Sequence, residues 1–145
     1  MQIVTYKPAH LGRVLPQEAQ ARITGTFDRE TADSLAIAGG AFSAVEAGRI
    51  VGCAGIVPLW PGVGHAWAVL SDTALAHPVA LTRTVQRELA RIEAEQNLRR
   101  VQATVAEDHV AGRRWLAWLG FEVEGLMRNY GHGGTGDFWL YGRAA

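Results

Sequence analysis

The chain has 145 residues, 48% of them hydrophobic, and its fourteen basic and fourteen acidic side chains cancel. That length suits one domain with a sizeable core, and charges of both signs interspersed from Arg83 to Arg128 leave no electrostatic footprint for nucleic acid. A single cysteine, Cys53, excludes an internal disulfide framework and, within an apolar stretch, reads as a small buried hydrophobe.

The opening MQIVTYKPAH lacks the continuous apolar segment and small-residue cleavage site of a secretory signal, so a cytoplasmic protein is expected. Its IVTY is a short strand, and a polar, helix-compatible region follows to about Ala38. From Gly39 the pattern sharpens: AFSAVEA, RIVGCAGIVPL and HAWAVLS are β-rich runs separated by Gly48 and by the turn WPGVG, an antiparallel meander. Ile50 to Leu70 carries no charge, yet Pro58, Pro61, Gly62 and Gly64 interrupt it where a membrane-spanning helix needs continuity. No membrane association is expected.

After Asp72 the period changes from two to 3.6, with Leu81, Val85, Leu89 and Ile92 on one stripe and Pro78 suited to a first turn, which predicts a helix near residues 78–97. RRVQATVAED then alternates Val101, Ala103 and Val105 against a more polar face of Arg100, Gln102 and Thr104. A strand, a helix and a strand make a crossover unit, so this strand is expected to lie parallel to HAWAVLS. A helix over Val110–Leu119, capped by Gly120, leads into EVEGLMRNY, and DFWLYGR closes the chain as a last strand. These elements predict one α/β domain over residues 1–145, built on a mixed sheet.

One string, GHGGTG at residues 131–136, fits a dinucleotide-binding fingerprint letter for letter. That fingerprint works by following a strand and opening a helix. Here a strand follows it, so it reads as a hairpin loop, and its HGG has no G-x-S-x-G nucleophile turn to accompany it.

The element order, together with the ending HVAGRRWLAWLGFEVEGLMRNY…GDFWLYGR, resembles the GNAT superfamily of N-acetyltransferases over about residues 40–145, and looks closest to the divergent GNAT-like proteins of tailed phages. Read back from Gly120-Phe121, the family's Asn position is His109, its Ala position Gly112 and its aromatic, usually Tyr, Leu116. The resemblance implies a sheet with an antiparallel meander and one parallel crossover, splayed at a cofactor wedge and flanked by helices. It implies acetyl-CoA or another acyl-CoA as cofactor, with Val69, Leu70 and Ser71 offering backbone to the pantetheine and His109, Gly112 and Leu116 lining the site. The pyrophosphate would meet the segment ALAHPVAL, at His77 and Val79, with Arg83 one turn into the helix.

That segment has none of the glycines that let amides approach a phosphate, and Pro78 removes one donor. For Arg83 the alternative is a solvated face shared with Arg87 and Arg91. The family's base position, early in the pantetheine strand, falls near His65, a side chain that titrates near working pH, with Glu46 and Asp72 as lesser candidates. Leu116 cannot give a proton to a leaving thiolate, so Tyr130, Tyr141 or water substitutes, or the thiolate leaves unaided. Trp115, at i, i+4, i+8 spacing with Ala111 and Leu119, reads as core, while Trp118 is placed over the wedge or a partner subunit. The reading is an acyl-CoA-dependent transferase acting on a small-molecule or protein amine. Its rival is a non-catalytic module of the same fold, serving as a virion component, a host-protein binder or a CoA sensor. A homodimer or a virion partner stays open as the binding state, and no metal is expected.

Overall fold

The computed structural model describes residues 1–14, 33–36, 40–134 and 136–144. Its strands are β1 (Gln2–Thr5), β2 (Ala41–Glu46), β3 (Arg49–Trp60), β4 (Val63–Leu70), β5 (Arg100–Ala106), β6 (Glu122–Met127) and β7 (Phe138–Ala144). The helices are α1 (Pro8–Leu11), α2 (Asp72–Leu75), α3 (Pro78–Glu95) and α4 (Val110–Trp118). Most of the helix-compatible region expected up to Ala38 lies outside the described residues. Within them it shows α1 and a helical turn at 33–36.

The meander forms because its turns have the residues they require. Ala47 and Gly48, at φ 50° and 75°, make the two-residue connection from β2 to β3, the left-handed pair that a tight hairpin uses. Pro61 followed by Gly62 at φ 87° turns β3 into β4. The seven strands form one sheet in the order β1-β2-β3-β4-β5-β7-β6. Every neighbouring pair is antiparallel except β4 and β5. The parallel crossover through α3 is therefore as expected. Chain order did not reveal that β7 enters between β5 and β6, which leaves β6 as the edge.

Strand alternation divides the core in two. On one face Ala54, Leu70, Val101, Ala103 and Val105 pack against Leu81, Val85, Leu89 and Ile92 of α3, Leu116 of α4 and Leu119 at its end. On the other, Cys53, Val69 and Trp67 pack against Tyr6 and Leu11 at the start of the chain. Burial pushes the Cys53 thiol up to about 11, in keeping with an inert packing role.

The corner Leu119-Gly120-Phe121 is a helix stop with its hydrogen bonds in place. Gly120, at φ 90°, donates to Ala117 O, and Phe121 N–H reaches back to Leu116 O, both at 3.0 Å. Leu116 and Phe121, the apolar pair that accompanies such a stop, are both buried. Arg143 of β7 locks the corner: it donates to Leu119 O at 2.7 Å, lies over the Phe121 ring and pairs with Glu93 of α3. GHGGTG falls between β6 and β7, where Gly133, Gly134 and Gly136 all have positive φ, His132–Gly134 form a short 3₁₀ turn, and the element that follows is the strand β7.

Candidate functional site

The parallel strands β4 and β5 pair only at Val63–Arg100, Gly64–Val101 and His65–Gln102. Beyond His65 both continue, to Leu70 and Ala106, without pairing with each other, so they splay. A cleft of about 150 Å³ occupies the divergence. Alanines form its floor, Ala54, Ala66, Ala68 and Ala103, and their small side chains give it depth. Val85 and Leu89 of α3 make one wall, and Ala111 and Trp115 of α4 with Leu119 at its end the other.

Trp115 thus belongs to the cleft wall as well as to the core. It is half-buried, and its Nε1–H donates to Thr82 Oγ1 at 3.1 Å, tying α4 to the first turns of α3. Trp118 does not cover the wedge: its side chain is 65% exposed, and Gln86 of α3 holds its carbonyl. This corrects its expected place over the ligand. Three positions at about 100° each leave the two indoles about 60° apart around the helix.

Backbone direction along β4 follows from one hydrogen bond. Ile56 N–H donates to Gly40 O, on the β2 side, so Ile56 and its opposite residue Ala66 do not bond each other across β3–β4. The peptide groups of Ala66 therefore turn toward the wedge, and alternation gives the same direction to Ala68 and Leu70. Of the three expected residues, Leu70 has its backbone on this side. Val69 faces β3 opposite Cys53, and its side chain is in the core. Ser71 is committed elsewhere: its N–H and hydroxyl both donate to Val51 O, and its Oγ caps α2 by accepting from Ala74 N–H. Of the expected trio, Val69 and Ser71 thus turn their backbone to β3 rather than to the wedge.

At the far end of the cleft, Leu75 of α2 leads to the opening of α3. His77 is the residue before the first turn and its side chain makes no cap bond there. Pro78 has no N–H, so Val79 and Ala80 carry the helix's unfilled amides, and Val79 is 64% exposed. Glu46, at the end of β2, sits 3.7 Å from His77 Nε2, and its other oxygen is buried with no hydrogen-bond partner among the described residues. Glu46 is therefore beside the opening of α3, and Asp72 is exposed in the first turn of α2 nearby. Neither lines the cleft. Arg83 is exposed with no ion pair among the described residues, whereas Arg91 is held between Glu88 and Glu95 at 2.9 Å each.

His109, Gly112 and Leu116 all line the cleft. His109 precedes α4, and its ring lies so close over Gly112 that a Cβ there would stand 2.7 Å from Nδ1. His65 occupies the last paired position before the splay, and burial lowers its pKa below the ordinary histidine value, which keeps the imidazole neutral. It shares a sheet face with Trp67 and Val69, opposite α3. Tyr141 is buried and its hydroxyl is held by Arg113 Nε at 3.1 Å, while Tyr130 is exposed and packs on Phe138. Neither tyrosine lines the cleft. Sequence reasoning passed over Thr104, whose place on the polar face of β5 was the available signal.

No cluster of metal-ligating side chains occurs among the described residues, and no helix among them is long and apolar enough to cross a membrane. No family model matches the chain, and no curated protein matches it in sequence. Solved structures do. The chain is similar to Ard1 from Thermoplasma volcanium, with 17% identity over 99% of this chain and 97% of that one at a TM-score of 0.79. It is similar to ribosomal-protein-alanine N-acetyltransferase from Brucella melitensis, with 15% identity over 100% of both chains at a TM-score of 0.78. A GNAT superfamily phosphinothricin acetyltransferase from Sinorhizobium meliloti, in complex with AcCoA, shares 19% identity over 99% of this chain and 87% of that one, at a TM-score of 0.69. At these identities the likeness is one of fold: this chain has the GNAT fold, a mixed sheet with one parallel pair flanked by helices.

Proposed function

We propose that this protein is an acyl-CoA-dependent N-acyltransferase, in its simplest form an N-acetyltransferase, acting on a small-molecule or protein amine. The observation that carries the reading is the parting of β4 from β5 after His65–Gln102, inside a seven-stranded sheet. Strands that part mid-sheet forgo ladder hydrogen bonds. A ligand bearing amides, such as pantetheine, offsets that cost by pairing with the strand edge at Ala66.

The arm fits the cleft better than the diphosphate fits its far end. Alanine floors and apolar walls accept methylenes, and the β4 edge accepts amides. At the α3 opening, two amides and Arg83 favour an anion while Glu46 opposes it, so a complex of about micromolar affinity or weaker is expected. When bound, the cofactor supplies an acyl group activated as a thioester. The chain's own contribution is a base: His65, neutral by burial and placed where the strands divide, takes the proton of the attacking amine. Leu116, apolar and buried, holds shape and moves no proton.

Pro78, Glu46 and Leu116 favour a second reading, a non-catalytic GNAT-fold protein that acts as a virion component, a host-protein binder or a CoA sensor. Acceptor-dependent thiol release from acetyl-CoA, measured across polyamines, peptides and small amines, separates the two. The enzyme reading expects release that falls by about 10²–10⁴-fold in His65→Ala with acetyl-CoA binding retained. Binding without release for any acceptor, unchanged by the substitution, leaves the non-catalytic reading.

A further inference from the structure

The cleft is lined almost wholly by apolar residues, and among the described lining residues Thr104 alone carries an aliphatic hydroxyl. Thr104 lies on β5 two positions beyond Gln102, the last residue paired with β4, so it is in the splayed part. Alternation sets it opposite in direction to Ala103 and Val105, which face α3 in the core, and so on the sheet face that His65 shares. Its neighbour on β7 is Leu140, whose side chain offers no acceptor. Its side chain is half-buried, and its hydroxyl makes no hydrogen bond among the described residues. Of the other hydroxyls near by, Thr82 donates to Pro78 O and accepts from Trp115, Ser71 donates to Val51 O, and Tyr141, which accepts from Arg113, is not among the described residues that line the cleft.

We propose that Thr104 is a catalytic residue whose hydroxyl donates a hydrogen bond to the sulfur of the acyl thioester as that sulfur leaves, a role that Leu116 cannot take. The inference rests on the acyltransferase reading given above. In the step it serves, the amine nitrogen bonds the acyl carbon and the carbon–sulfur bond breaks. The bonding pair stays on sulfur, and the amine's proton goes to His65. Thr104 keeps its own proton throughout, and the thiolate takes one from water on release. A hydroxyl is too weak an acid to protonate a thiolate near neutral pH, but a hydrogen bond to a developing charge needs no transfer. His65 on β4 and Thr104 on β5 thus flank the division of the strands, with base and donor on opposite sides of the gap.

Thr104→Val keeps the shape and removes the hydroxyl; Thr104→Ser keeps the hydroxyl. Two readouts are needed, one of them independent of turnover. In the first, kcat for thiol release should fall about 10- to 100-fold in Thr104→Val with KM for acetyl-CoA unchanged, and should recover in Thr104→Ser. In the second, free CoA and its desulfo analogue are compared by calorimetry at a pH above the ordinary thiol value of about 8.5. Wild type and Thr104→Ser should bind CoA more tightly than desulfo-CoA, and Thr104→Val should lose that preference. Turnover in wild type that survives Thr104→Val, with the sulfur preference intact, overturns the role of Thr104 and leaves the transferase reading standing. Failure of wild type to bind CoA or release thiol overturns both together.

Discussion

Gly112 of α4 offers a test in which two opposed effects of known size meet at one atom. Within a helix, replacing glycine by alanine ordinarily stabilises by up to about 1 kcal/mol. At this position the added methyl would stand 2.7 Å from His109 Nδ1, 2.8 Å from Cε1 and 3.0 Å from Val105 Cγ2. Overpacking of that kind costs about 1–3 kcal/mol, so Gly112→Ala should destabilise by up to about 2 kcal/mol rather than stabilise. Removing the ring should reverse the sign. In a His109→Ala background the alanine at 112 should become favourable, by less than the full propensity gain because the Val105 contact remains. Urea denaturation of the four variants of this cycle measures both values and their coupling. A Gly112→Ala protein that gains about 1 kcal/mol, equally with and without His109, would refute this placement of the imidazole and of the cleft edge it forms.

The pH dependence of acyl transfer should rise through a midpoint below the ordinary histidine value of about 6.5, because burial disfavours protonated His65; a midpoint above it would contradict the assignment. Arg83→Ala should weaken acetyl-CoA binding by about 10- to 100-fold in calorimetry, and Arg91→Ala should leave it unchanged, since Glu88 and Glu95 already hold that side chain. His10 anchors α1 through Nδ1, which accepts from Lys7 N–H and lies 2.8 Å from the buried Ser43 hydroxyl, and its pKa is lowered first by burial and then by Arg13 and Lys7. Its stabilisation is therefore present above about pH 6.5 and lost as pH falls through the lowered value. His10→Ala should unfold more easily at neutral pH yet lose less on acidification, and equal acid sensitivity in both proteins would remove His10 from that role.

The architecture was legible where local chemistry forces it. The stripe of Leu81, Val85, Leu89 and Ile92 gave α3 almost to its ends, and Pro61-Gly62 fixed the turn of the meander. The corner at Gly120 was legible because few residues other than glycine take φ near 90°. The insertion of β7 between β5 and β6 was not, because strand order is settled by long-range pairing that no local pattern encodes. The site divides in the same way. His109, Gly112 and Leu116 could be counted back from Gly120-Phe121, and all reach the cleft. Along β4, however, which residues turn their backbone to the wedge depends on a one-residue parity, set here by the Ile56 bond to Gly40 on the neighbouring strand. That parity exchanged Val69 and Ser71 for Ala66 and Ala68. Glu46 was misplaced for a related reason: it comes near α3 only because β2 and the start of the helix meet in space.

The claim that the divided strands form a seat for an acylated pantetheine is tested most directly by calorimetric titration of the whole protein with acetyl-CoA, beside acetyl-pantetheine, adenosine and acetate. Acetyl-CoA should bind at about micromolar affinity or weaker, acetyl-pantetheine should retain a measurable part of that binding, and adenosine and acetate should give no heat. Absence of heat from both thioesters at millimolar concentration, or binding by adenosine as strong as by acetyl-CoA, would contradict it.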